Sequence, residues 1–272
     1  MSVKAAAFVA CALLLCGFTT ERVSFSNVAV FGDTKPAQIT AQLARPDGNG
    51  KFPAVVLWHT CGGVKSHVSE LWPKFLTDLG YVTLTVDSFG PRNQQSCFKP
   101  VNLMAGPKGA NKHIAAGDAH GGLRYLATLP YVDPQRVAVM GFSWGGIMIA
   151  YMSNENFKTP EGLTFKAMVS LYAHCSKTTP GEANYYGGDP KIPWLILIGE
   201  KEAPAFHASC AKVANKPGVT FKVLPNAHHG WDSPQFTRPT DDGAGNMMLF
   251  SAEANAESQR IVRDYLASQL GR

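Results

Sequence analysis

Gly141-Phe142-Ser143-Trp144-Gly145-Gly146 places a glycine two positions to either side of a serine. That spacing suits a strand-to-helix turn too tight for flanking side chains, one that lifts the serine Oγ clear of the sheet. Held at a helix N-terminus, Ser143 is a candidate nucleophile, because the helix dipole favours the negative charge that develops beside it. A serine hydroxyl attacks poorly until a base takes its proton, and the base in turn needs an acid to orient it. In a chain built around such a turn, the order expected is serine, acid, histidine. Asn226-Ala227-His228-His229-Gly230-Trp231-Asp232 supplies two candidate bases, and position alone leaves His228 and His229 both open. Gly199-Glu200-Lys201-Glu202 offers the acid. Glu202 is the preferred carboxylate and Glu200 the second, with Asp189, Asp87 and Asp232 as weaker substitutes. Backbone N–H groups would hold the oxyanion, one from Trp144 directly after the serine and one from His59-Thr60-Cys61-Gly62-Gly63. His59 precedes the serine in the chain, so it is read as structural or as lining the site rather than as the base. This chemistry is acyl transfer and requires neither a metal nor an organic cofactor. With no C-x-x-C pair, a structural zinc site is not expected either.

The segments that must position these residues alternate between two periods. Early strands are read at 23–31 and 37–44, a continuously apolar run at 54–58 suits a strand buried on both faces, and 81–86 is read as a second buried strand. Further strands are expected at 136–140, 165–171, 194–198 and 219–224. Helices are expected at 68–79, 112–129, 144–152, 205–214 and 253–270, the last with Ile261, Val262, Tyr265, Leu266 and Leu270 at helical spacing. Such alternation predicts an α/β fold, a mostly parallel twisted sheet of about eight strands with helices on both faces. Loops are expected at 88–111, 176–191 and 232–246. With no internal repeat and no low-complexity linker, residues 21–272 read as a single domain.

Of the 272 residues, 45% are hydrophobic and 17% charged, a composition that can bury a core. The net charge of +5 is spread without a Lys/Arg run or a basic-aromatic stripe, which argues against a nucleic-acid face. Lys4 precedes an uncharged stretch at 5–18, shorter than the roughly twenty residues a bilayer span needs. Residues 1–20 therefore read as a signal peptide for export, with a retained N-terminal anchor as the alternative. Beyond it lie Cys61, Cys97, Cys175 and Cys210, an even number that suggests two disulfides in an exported chain and leaves three pairings open.

Taken together, the stretch from His59 to Gly63, Val86-Asp87-Ser88-Phe89-Gly90-Pro91-Arg92, the serine turn, Leu197-Ile198-Gly199-Glu200-Lys201-Glu202, and His228-His229-Gly230-Trp231-Asp232 resemble the dienelactone hydrolase family of α/β-hydrolases. The resemblance covers most of the chain from about Ser24 onward. It implies the α/β-hydrolase fold and an ester or lactone substrate. It makes His229 the base, gives the second oxyanion N–H to Cys61 rather than Thr60, and places Arg92 near a family arginine that can hold a substrate carboxylate. This chain departs from the founding pattern by carrying a serine where those enzymes use cysteine, Thr60 near their oxyanion-loop glutamate, and a shorter Glu202-Ala203-Pro204 acid loop. The reading is thus a serine hydrolase of small esters or lactones, with Ser143, Glu202 and His229 as the catalytic residues. A thioesterase or peptidase with the same residues, and a catalytically inactive binding protein on the same fold, are the rival readings.

Overall fold

The short apolar runs become the central strands. A computed structural model of the chain describes residues 20–29, 36–97, 110–153, 158–175, 189–243 and 245–271, with only the backbone described at 110–114. The elements are β1 (Thr20–Ser26), β2 (Gln38–Ala44), β3 (Phe52–Trp58), α1 (Trp72–Asp78), β4 (Val82–Asp87), α2 (Ala110–Thr128), β5 (Val132–Phe142) and α3 (Trp144–Met152). They continue with β6 (Ala167–Leu171), β7 (Trp194–Gly199), α4 (Pro204–Ala211), β8 (Val219–Leu224), β9 (Thr240–Asp241), β10 (Met247–Met248) and α5 (Ala252–Leu270). Eight strands form one sheet in the order β1-β2-β4-β3-β5-β6-β7-β8. The first two pairings, β1 with β2 and β2 with β4, are antiparallel, and the rest are parallel.

Side-chain alternation splits the core between the two faces of this sheet. Ala54, Val56 and Trp58 join Leu123 and Leu126 of α2 and Met148 and Ile149 of α3 on one face. Val55 and Leu57 join Trp72 and Leu76 of α1 and Val262 and Leu266 of α5 on the other. Helix α5 opens with Ser251, whose side chain accepts from the Ala254 N–H at 3.2 Å, and closes at Gly271 in the left-handed region. All the parallel strands point their C-terminal ends the same way, so the loops after β3, β4, β5, β6, β7 and β8 gather at one edge, where ligands bind in such sheets.

Three elements differ from the sequence reading. The first strand ends at Ser26, and residues 30–35 lie outside the described segments, as do the signal stretch 1–19 and most of the loop at 176–191. The helix expected at 68–79 begins as a π-helical turn, His67–Leu71, before α1. Pro73 explains the change: it lacks an N–H, and its ring crowds the carbonyl four residues back, so a regular α-turn cannot run through it. The stretch 232–246 is no surface loop throughout, since it carries β9, pairs with β10, and buries Asp232, Ser233 and Asn246. Among the described residues no helix is long and apolar enough to cross a membrane.

Candidate active site

The chain turns from β5 into α3 at Ser143, whose φ of +50° and ψ of −106° are held by its N–H bonding to Leu171 O at 3.0 Å. A left-handed φ at a non-glycine residue costs on the order of 1–3 kcal/mol and persists only where the surroundings enforce it. The glycines explain how this turn packs so closely. A Cβ on Gly141 would lie 2.3 Å from the Gly145 carbonyl carbon, and one on Gly145 would lie 2.3 Å from Trp58 O. No side chain fits at either position, so the G-x-S-x-G spacing is a steric requirement.

His229 reaches this serine from the loop after β8. Ser143 Oγ donates to His229 Nε2 at 3.0 Å, and His229 Nδ1 donates to Glu202 Oε2 at 2.9 Å. The accepting carboxylate fixes the proton on Nδ1 and leaves Nε2 with the lone pair that faces the hydroxyl. Both His229 and Glu202 are buried. Burial disfavours the imidazolium, but the Glu202 charge and hydrogen bond, with smaller help from Asp242 and Asp232, raise the His229 pKa above its ordinary value.

A second layer of polar contacts places these two loops. Glu202 sits in the tight turn after β7, where its N–H bonds to Gly199 O at 3.2 Å. The next N–H, that of Ala203, bonds to Asn246 Oδ1 at 2.8 Å. Asn246 is held in turn by both carboxylate oxygens of Asp242, at 2.9 and 2.8 Å. The His229 backbone bridges to the β10 strand through Met247 O at 3.2 Å and the Leu249 N–H at 3.3 Å. Near the His229 ring, Asp232 is fully buried and accepts from Trp72 Nε1 at 2.7 Å and from the Tyr172 hydroxyl at 2.9 Å. Tyr172 meets the His229 ring edge-on, 5.0 Å between centroids. Burial, reinforced by the adjacent Asp232 charge, keeps its phenol protonated.

Ser143 and His229 open onto a cavity of about 150 Å³. Thr60, Cys61, His67, Tyr172, Asp242 and Met248 are among the residues that line it. The Cys61 loop is tied to the segment after β4 by the Cys61–Cys97 disulfide and by the Cys97 N–H bonding to Cys61 O at 2.9 Å. Trp144 is the first residue of α3, directly after the serine. A serine hydrogen-bonded to an oriented imidazole, beside a helix start and a backbone loop, is the arrangement that acyl transfer needs.

Several sequence expectations are redistributed by this geometry. Arg92 is not part of the cavity wall. Its guanidinium forms a two-pronged ion pair with buried Asp118 on α2, at 2.7 and 2.8 Å, and also donates to Ser88 O at 2.6 Å. With these bonds the guanidinium neutralises buried Asp118, away from the residues that line this cavity. His59 lies under the serine turn, stacked on Trp144 at 5.2 Å with the rings 12° apart. Its Nδ1 donates to Thr60 O at 2.7 Å and its Nε2 accepts from the Ser88 N–H at 3.1 Å. Burial lowers its pKa to about 4, so it is a neutral ring packed beneath the turn. The other carboxylates have partners of their own: Glu200 accepts from the Asn226 N–H, Asp87 from Phe89 and Gly90, and Asp189 pairs with Lys216. His228 is half-buried and does not border the cavity. The sequence reading had missed Tyr172, Asn246 and His67. Tyr172 alone carried a local signal, as the residue immediately after a buried strand that neighbours the serine strand.

The family model described as the dienelactone hydrolase family matches residues 39–266. A protein of Synechocystis sp. named "Putative carboxymethylenebutenolidase" is 28% identical over 253 residues, covering 86% of this chain and 93% of that protein. Esterase FrsA of Klebsiella pneumoniae is 29% identical over 128 residues, which is 44% of this chain and 27% of that esterase. Among solved structures, a dienelactone hydrolase-like promiscuous phosphotriesterase from metagenomic libraries has a TM-score of 0.64 at 19% identity, with 94% of this chain and 100% of that chain covered. A dienelactone hydrolase from Anabaena variabilis has a TM-score of 0.60 at 16% identity, with 92% and 99% covered. The structural likeness is one of fold, whereas the family match runs from β2 into α5 and takes in Ser143, Glu202 and His229 together. This chain belongs to the dienelactone hydrolase family.

Proposed function

We propose that this hydrolase cleaves a small carboxylic ester or lactone through an acyl-enzyme formed on Ser143. The observation that carries the reading is the unbroken hydrogen-bonded line from Ser143 Oγ through His229 to Glu202. Ser143 Oγ attacks the ester carbonyl carbon while His229 Nε2 takes its proton. The carbonyl oxygen becomes an oxyanion held by the Trp144 and Cys61 N–H groups. As the C–O bond breaks, Nε2 returns the proton to the leaving alkoxide, and the acyl group stays on Ser143. Water then gives a proton to Nε2, attacks the acyl carbon, and releases the carboxylic acid as the proton returns to Oγ. Glu202 keeps the imidazole in the required tautomer and stabilises the imidazolium. The cavity of about 150 Å³ favours short acyl groups, since sites for drug-sized ligands run to roughly 300–1,000 Å³. The names of the relatives, a carboxymethylenebutenolidase and an esterase, agree with this substrate class.

Release of p-nitrophenol from short acyl esters by wild type and Ser143→Ala tests the reading. We expect measurable turnover in the wild type and a loss of about 10³-fold or more in the variant, the scale seen when a serine nucleophile is removed. Equal rates in the two proteins would overturn it. We further propose that the protein works outside the cytoplasm, because its two disulfides call for an oxidising compartment. N-terminal sequencing of protein recovered from the exported fraction checks this, with cleavage expected near residues 17–20.

A further inference from the structure

His59 follows β3 directly and opens the loop proposed to hold the oxyanion. It is fully buried, stacked on Trp144 and edge-on to Phe89 at 4.4 Å. Buried polar groups are as a rule hydrogen-bonded, and the two partners of this ring fix which nitrogen carries the proton. The Ser88 backbone N–H can only donate, so Nε2 accepts from it at 3.1 Å. Nδ1 therefore holds the hydrogen that reaches Thr60 O at 2.7 Å. Ser88 is anchored in turn, because its carbonyl accepts from Arg92 at 2.6 Å and its hydroxyl from Trp58 Nε1 at 3.1 Å. Burial lowers the His59 pKa to about 4, which keeps the ring neutral and leaves it one donor and one acceptor.

The carbonyl that His59 holds belongs to the same peptide as the Cys61 N–H. That peptide is trans, so its two polar groups point opposite ways, and fixing Thr60 O fixes the Cys61 N–H as well. Thr60 O also accepts from the Gly63 N–H at 3.0 Å, but that bond lies within the turn and would move with it. His59 Nδ1 ties the carbonyl to a ring anchored outside the turn. The next peptide is held separately, since Cys61 O accepts from the Cys97 N–H at 2.9 Å beside the disulfide. Among the described residues nothing accepts from the Cys61 N–H, while Cys61 and Ser143 border the same cavity. We propose that His59 is a positioning residue whose Nδ1–H holds the Thr60–Cys61 peptide in the orientation that offers the Cys61 N–H to the oxyanion. A donor aligned in advance needs no reorganisation as the charge forms, which is what makes such donors effective. The proposal deepens the ester-hydrolase reading and rests on it for its kinetic arm.

Three variants separate the two ends of the ring. His59→Phe keeps a flat ring against Trp144 and loses both hydrogen bonds. His59→Asn carries an amide near the Nδ1 position that can still donate to Thr60 O, whereas the longer His59→Gln reaches the Nε2 position and serves only Ser88. On p-nitrophenyl butyrate, kcat of His59→Phe should fall by about tenfold or more, toward the roughly 10²–10³-fold cost of losing one oxyanion donor, with KM within about threefold of wild type. His59→Asn should recover kcat and His59→Gln should not, whatever order of stability the three show in denaturant unfolding. Propyl trifluoromethyl ketone reads the oxyanion itself. Ser143 Oγ adds to its carbonyl carbon, the π pair becomes the oxyanion, and the serine proton passes to His229 Nε2. Its inhibition constant should rise across the variants in step with the loss of kcat. Crystal structures of wild type and His59→Phe add a readout that needs no turnover, and a rotated Thr60–Cys61 peptide is expected in the variant. An unchanged peptide overturns the proposal, as do equal kcat losses in all three variants or a loss carried by KM alone. If the wild type neither cleaves the ester nor binds the ketone, the Ser143 reading falls, and the two peptide orientations still decide whether His59 holds that peptide.

Discussion

Glu202 and His229 are a pair whose charges depend on each other. Burial alone would push the His229 pKa down, and the Glu202 carboxylate, with Asp242 and Asp232 behind it, brings it above the ordinary histidine value. The proposed base works as the neutral imidazole, so kcat/KM should rise with pH through this raised pKa. Glu202→Gln removes the largest raising influence and leaves the burial in place, so the rising limb should move to lower pH. The same change lets the imidazole adopt the wrong tautomer, and kcat should fall by roughly 10²–10⁴-fold. A pH profile of both proteins on a chemically stable ester reads both effects, and an unmoved limb would count against Glu202 as the partner of the base. His59 does not confuse the profile, because its pKa of about 4 keeps it neutral across the working range.

At the scale of elements, the acid loop owes its position to a segment that lies some forty residues later in the chain. Asn246 accepts from the Ala203 N–H and is itself held by Asp242, so it is a positioning residue for Glu202. Asn246→Ala should remove the acceptor of that part-buried N–H, cost about 0.5–1.5 kcal/mol of stability, and lower kcat more than it raises KM. Denaturant unfolding together with steady-state kinetics would show both; a stability loss with unchanged kcat would reduce Asn246 to a purely structural role. The same contrast explains what the sequence could reveal. The serine turn was legible because its glycines answer a local steric demand, and Glu202 because the acid follows a strand of recognisable pattern. The stretch 232–246 read as an exposed loop because its side chains are polar, and nothing local indicates that Asp232 and Asn246 are satisfied by groups far away in the chain. The ion pair of Arg92 was hidden for the same reason, since its partner Asp118 sits 26 residues on, in α2.

For the whole molecule, the sheet brings the loops after β3, β5, β7 and β8 to one edge, and two covalent ties hold that edge from either side of the serine turn. Cys61–Cys97 closes a separation of 36 residues around the loop proposed to hold the oxyanion, and Cys175–Cys210 closes one of 35 between the end of β6 and α4. Loops of this size are worth about 3–4 kcal/mol each in a chain-entropy account, so losing either bond should lower the unfolding free energy by a similar amount and the denaturation midpoint with it. Their effects on activity should differ, because only Cys61 borders the cavity. Cys61→Ser with Cys97→Ser frees the backbone that is proposed to hold the oxyanion, and kcat should drop well beyond what the stability loss explains. Cys175→Ser with Cys210→Ser should retain most of kcat at temperatures where it stays folded. Alkylation followed by peptide mass analysis would first establish that all four thiols are protected until reduction. Equal kcat losses in the two double variants would then show that the first bond acts through stability alone, and would remove the tether from the account of the oxyanion site.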